Sequence, residues 1–116
     1  MLLQIEEKLI QPGVTLVELK GRLALGRESQ RVESLADELV KNGHLKVVMD
    51  LSGVDYVDSA GIGVLIGKYL SVRRKGGSLK LLHLSMRAHH ALEITHLLTV
   101  FETFEHEDAA VKSFSG

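Results

Sequence analysis

A single α/β domain with a mixed sheet is the fold class this chain predicts, on three observations. Two segments near the start alternate apolar and polar residues and are joined by Gln11-Pro12-Gly13, which reads as a strand–turn–strand hairpin. Strand-like and helix-like segments then alternate, the pattern of parallel strands joined by helical crossovers. No linker, repeat or low-complexity segment interrupts the 116 residues, a length that suits one core, so one domain over 1–116 is expected.

The elements follow in order. Leu3, Ile5 and Leu9 alternate imperfectly as a first strand, and Val17, Leu19, Gly21 and Leu23 as a second, with Glu18, Lys20 and Arg22 on its polar face. Gly26 to Ser29 leads into a helix whose stripe is Val32, Leu35, Ala36, Leu39 and Val40, stopped by Asn42-Gly43. Leu45 to Leu51 is too uniformly apolar for a half-exposed strand and should be central, covered on both faces. A second helix, with Ile62, Leu65, Ile66, Tyr69 and Leu70 at helical spacing, runs from near Ser59 to Gly76-Gly77. Arg73, Arg74 and Lys75 complement the dipole at its C-terminal end. Leu79, Leu81, Leu82 and Leu84 form a fourth strand, and Met86 to about Leu98 a third helix. Val100, Phe101 and Phe104 mark a short last strand, and Asp108 to Phe114 a terminal helix.

Composition narrows the function. The formal charge is −1 with no basic block, so no nucleic-acid surface is expected. There is no cysteine, which removes disulfide and thiolate chemistry. No apolar run approaches the roughly 20 residues that span a bilayer, and Met1 to Ile10 lacks the pattern of a signal peptide. A soluble protein without membrane contact is expected, and a cytosolic location fits.

The most informative stretch is Asp58-Ser59-Ala60-Gly61-Ile62-Gly63, between the central strand and the second helix. An acid, a hydroxyl and glycines at a helix N-terminus make a place where a phosphate is well tolerated, because free N–H groups and the positive dipole end face it. Asp58 has two compatible jobs there: capping the helix, or holding the Ser59 hydroxyl toward an incoming phosphoryl group. Ala60, Gly63, Gly67 and Ser71 form a small-residue stripe. Close helix-on-sheet packing is the simpler reading, and a flat surface for a partner beside Ser59 the functional one.

Val47-Val48-Met49-Asp50-Leu51, the loop Val57 to Leu65 and Gly76-Gly77 together resemble STAS domains, most closely bacterial anti-sigma factor antagonists, over nearly the whole chain. The resemblance implies a four- or five-stranded mixed sheet with about four helices packed mainly on one side. It also implies a cytoplasmic, non-enzymatic partner switch without a cofactor. The unphosphorylated antagonist binds an anti-sigma factor that is also a serine kinase, and so frees the sigma factor. Phosphorylation of a loop serine ejects it, and a serine phosphatase resets it. The family's acceptor is one of the two residues after the aspartate; the second is Ala60, so Ser59 is the expected acceptor. Asp58, Ala60 and Gly61 complete its loop, and Asp55, Ile62, Gly63 and Gly67 are expected partner contacts. Such antagonists often carry Gly-Glu-Leu-Asp at the end of the second strand. Here Gly21-Arg22-Leu23-Ala24 replaces the acidic contact by Arg22. A non-switching STAS adaptor of a stress-signalling or transporter assembly is the alternative, and an exposed strand edge could pair with a second copy.

Other constellations carry less. A nucleophile elbow needs glycine where Val57 stands, so Ser59 is not expected to be a hydrolytic nucleophile. His89, Glu93 and His96 have ligand-like spacing on one helix face but read as a solvated polar face, and no metal is expected. Gly76-Gly77 lacks the context of a phosphate-binding loop.

Overall fold

A computed structural model describes residues 3–10, 13–24 and 27–114, with side chains left undescribed at 27–29. The Gln11-Pro12 part of the first turn and Gly26 as the lead into the first helix lie outside the described residues. The order is β1 (Gln4–Ile10), β2 (Val14–Leu23), α1 (Arg27–Lys41), β3 (Lys46–Val57), α2 (Ser59–Arg74), β4 (Ser78–Leu82), α3 (Met86–Ile94), β5 (Thr103–Phe104) and α4 (Glu107–Lys112). The five strands lie side by side in chain order. β1 is antiparallel to β2, and every later pairing is parallel.

Strand alternation sorts the core into two layers. Val17 and Leu19 of β2, Val47, Met49 and Leu51 of β3, and Leu79 and Leu81 of β4 face one side. Against them pack Val32 and Leu39 of α1, Ile62, Leu65 and Val72 of α2, and Ala88 and Leu92 of α3. The opposite face buries Val14, Leu16, Val48 and Leu82 under Ala110, with Val111 and Phe114 alongside. Three helices therefore cover one face and α4 part of the other, and β3 is the doubly covered central strand. Lys80 reaches the α4 side from β4. Its buried ammonium donates to Ser113 Oγ at 2.7 Å, meets Glu102 Oε2 at 3.2 Å and sits 4.4 Å from the centre of the Phe114 ring. Among the described residues no helix is long and apolar enough to cross a membrane.

Two boundaries differ from the sequence reading. β3 does not end at Leu51 but continues to Val57, pairing Lys20 with Gly53 and Arg22 with Tyr56 through two register shifts. This half of the strand has partly exposed polar residues and only Val54 fully inside, so it carries no apolar run. Gly53 lets the strands approach there, since a Cβ would stand 2.6 Å from Lys20 Cγ and force that side chain to move. The third helix stops at Ile94, short of Leu98. His96 takes a left-handed φ of 60°, and Leu97 N–H donates back to the Leu92 carbonyl at 2.9 Å. That is the same helix stop made by Gly76, whose successor donates to the Val72 carbonyl at 3.0 Å.

Candidate functional site

Asp58 is the joint between β3 and α2. Its N–H donates to the Leu23 carbonyl at 3.3 Å, holding the end of β3 to β2. Its backbone is extended (φ −108°, ψ −178°), and its Oδ1 accepts from Gly61 N–H at 2.9 Å. The Asp58 carbonyl then takes the first intrahelical bond, from Ile62 N–H at 3.0 Å. The capping job expected of Asp58 is therefore in place. Gly61 lets the joint close. A Cβ there would run into the Leu23 carbonyl, the group that holds Asp58.

Ser59 follows, exposed, at the first position of α2. Among the described residues its hydroxyl has no hydrogen-bond partner, so it faces solvent at the positive end of a long helix. The helix repeat carries its face along Gly63, Ile66 and Leu70. Gly63 is exposed, Ile66 half-buried, and Leu70 46% exposed. Gly67 lies at the border of this face, and among the described residues, the helix's own backbone and the chain neighbours aside, nothing stands within 4 Å of where a Cβ would be at Gly63 or Gly67. The close-packing reading of the stripe is thus overturned at both glycines; Gly61, which the stripe did not include, is the tightly packed one.

The other expected contacts divide. Asp55, four residues before Ser59, is exposed, and Ala60, directly after it, is half-exposed. Arg22 is exposed at the end of β2, its guanidinium 4.1 Å above the centre of the Tyr56 ring, on neighbouring strands. Ile62, expected on the partner surface, is a correction: it is 7% exposed and belongs to the core, because its position on α2 turns toward the sheet. Leu70, in the same run of apolar residues at helical spacing, is the reverse case and lies outside. Its angular coincidence with Ser59 on the helix would have revealed it. Tyr56 carries no such signal, because the apolar run that marks β3 in the sequence stops before it while the strand continues to Val57.

Gly63→Ala and Gly67→Ala should each raise stability by up to about 1 kcal/mol, since alanine is the better helix former and nothing crowds either site. Urea denaturation would show a higher midpoint at unchanged slope. A lower midpoint would mean that the helix is closely packed there.

The remaining constellations do not assemble around Ser59. The one described imidazole–carboxylate contact is His83 Nδ1 to Asp50 Oδ2 at 3.3 Å, beyond the end of β4. His96 has left the helix that was to align it with His89 and Glu93, and among the described residues no three such side chains cluster as metal ligands.

Known proteins match this arrangement. The anti-sigma F factor antagonist of Paenibacillus polymyxa is 29% identical over 96 residues, 82% of this chain and 81% of that protein. The crystal structure of an anti-sigma factor antagonist from Mycobacterium paratuberculosis superposes with a TM-score of 0.82 at 17% identity, over 98% of this chain and 95% of that one. SpoIIAA, an anti-sigma factor antagonist, superposes in its unphosphorylated form with a TM-score of 0.76 at 14% identity, over 97% and 99% of the two chains. Its phosphorylated form gives 0.74 at the same identity, over 95% and 99%. The model of the STAS domain matches residues 7–110, and the chain belongs to the STAS domain family.

Proposed function

We propose that this protein is an anti-sigma factor antagonist whose partner binding is switched by phosphorylation of Ser59. In the unmodified state the face of Ser59, Ala60, Gly63 and Gly67, together with Asp55 and Arg22, docks on an anti-sigma factor in the cytoplasm. That partner is also a serine kinase, and docking frees its sigma factor. Phosphoryl transfer to Ser59 ends the complex, and a serine phosphatase restores it. The chain acts as a binding regulator and as the substrate of these enzymes, not as a catalyst. The observation that carries the reading is the exposed Ser59 hydroxyl at the capped N-terminus of α2, which has no hydrogen-bond partner among the described residues and lies beside two glycines with open space above them among those residues. The role named for the relatives supports it.

The physics of the switch is local. A phosphoryl group adds about −1.5 to −2 charges and three strong acceptors. The helix dipole and the N–H groups of Ser59 and Ala60, which lack intrahelical acceptors, favour that charge in the free protein. A partner packed over the same hydroxyl would have to desolvate it. The test is to purify the protein from its own cells across growth and stress conditions, and to map phosphopeptides beside a Ser59→Ala strain. A phosphoryl group on Ser59, absent from the variant, is expected. Unmodified Ser59 under all conditions, with partners still co-purifying, would replace the switch by a constitutive adaptor.

A further inference from the structure

β1 is an edge strand, paired among the described residues with β2 alone. It carries Leu9 at 71% exposure, and a groove of about 700 Å³ runs between it and α1, lined among others by Ile5, Glu7, Arg31, Leu35 and Glu38. Edge strands are usually blunted by charge, and Glu6, Glu7 and Lys8 could be read that way. Their order says more. We propose that β1 is a homodimer interface, in which two copies pair their first strands antiparallel about Glu7 and join their sheets into one.

The argument rests on face and register. A two-fold axis perpendicular to the sheet keeps the α1 layers of both copies on one side, and it pairs only residues of the same face. Centred on Glu7, such pairing sets Glu6 against Lys8 twice and Ile5 against Leu9 twice. Every one of these registers sets two like charges on the axis, but centring on Glu6 or on Lys8 forms no Glu–Lys pair and sets Glu7 against Ile5 or Leu9, whereas centring on Glu7 offsets its axial pair with two Glu6–Lys8 pairs. The strand is therefore complementary to itself in one register. Ile5, Glu7 and Leu9 share the helix face, as their pairings with Leu19, Val17 and Thr15 require. Each exposed Leu9 then lies over the Ile5 end of the other copy's groove. The two Glu7 carboxylates meet at the axis, each in a groove that also holds Arg31, whose Nη1 donates to the Leu3 carbonyl at 2.6 Å. On the other face Lys8 bonds Glu18 at 3.0 Å, and the partner's Glu6 adds a second acceptor to an ammonium with three donors. The Ser59 face lies on α2, so the dimer presents two such faces.

The test uses the full chain. Light scattering and sedimentation over a concentration series should show a dimer in exchange with monomer. Glu6→Lys and Lys8→Glu should each weaken self-association about tenfold, since each places like charges together twice. Mixing the two variants should restore dimers, as heterodimers. The chain has no cysteine, so single substitutions report the register directly. Glu7→Cys should form a disulfide-linked dimer on mild oxidation, while Glu6→Cys, Lys8→Cys and the distant Lys112→Cys should link far more slowly. A wild-type chain that stays monomeric at all concentrations would overturn the proposal. So would a dimer indifferent to both charge variants, or Glu7→Cys linking no faster than Lys112→Cys.

Discussion

Gly61→Ala should destabilise the fold by about 3 kcal/mol, although it replaces one small helix residue by the best helix former. Propensity alone predicts a gain of about 1 kcal/mol. Sterics reverses the sign, because the new methyl group would overlap the Leu23 carbonyl and come within 3.0 Å of its carbon. That carbonyl cannot swing aside cheaply. It belongs to a buried strand end and accepts the Asp58 N–H that fixes the start of α2. Relief would require α2 to lift from the sheet, withdrawing Ile62 and Leu65 from the core they fill. Equilibrium denaturation of Gly61→Ala beside Gly63→Ala makes the comparison sharp: the same substitution, two positions apart, with opposite signs. A Gly61→Ala protein as stable as the wild type would mean that the β3–α2 joint is looser than its geometry indicates.

That contrast also marks what can be read from the chain without coordinates. Apolar runs announce buried strands, so Val47 to Leu51 was legible as the centre of the sheet, and so was Asp58 as a cap, because its side chain supplies the chemistry itself. Helix stops were legible where glycine makes them, at Gly43 and Gly76, both at positive φ. The stop at His96 was not, since histidine rarely takes that conformation and nothing in its identity announces it. The outer half of β3 was hidden because its exposed face is polar and its pairing passes through register shifts. At the site, Gly61 and Gly63 look equivalent in one dimension. They are about 200° apart around the helix axis, so one meets the sheet and the other meets solvent. A sequence shows which residues are small; only the orientation of α2 decides which of them must be.

Ser59→Glu should reduce affinity for the anti-sigma factor at least a hundredfold while leaving the free protein as stable as the wild type, or slightly more so. The two halves of this expectation come from one charge in two settings. In the free chain a carboxylate at the first position of α2 faces the positive end of the helix, an arrangement that stabilises by about 0.3–1 kcal/mol. The serine hydroxyl it replaces makes no hydrogen bond among the described residues and leaves nothing unsatisfied. In the complex the same carboxylate would be stripped of water against a surface shaped for a small hydroxyl and for bare glycine. A mismatched charge in that position costs several kcal/mol, and about 2.7 kcal/mol already corresponds to a hundredfold. Ser59→Ala should bind as tightly as the wild type and resist release by the proposed kinase. Titration calorimetry with purified partner, together with denaturation of each variant alone, separates the two settings. If Ser59→Glu bound like the wild type, the partner would not cover the N-terminus of α2, and the exposed glycines and Leu70 would need another explanation. If it bound weakly but had also lost stability, the loss would belong to the fold rather than to a switch. Retained stability with lost binding is what an electrostatic release requires, because it needs no refolding of the protein.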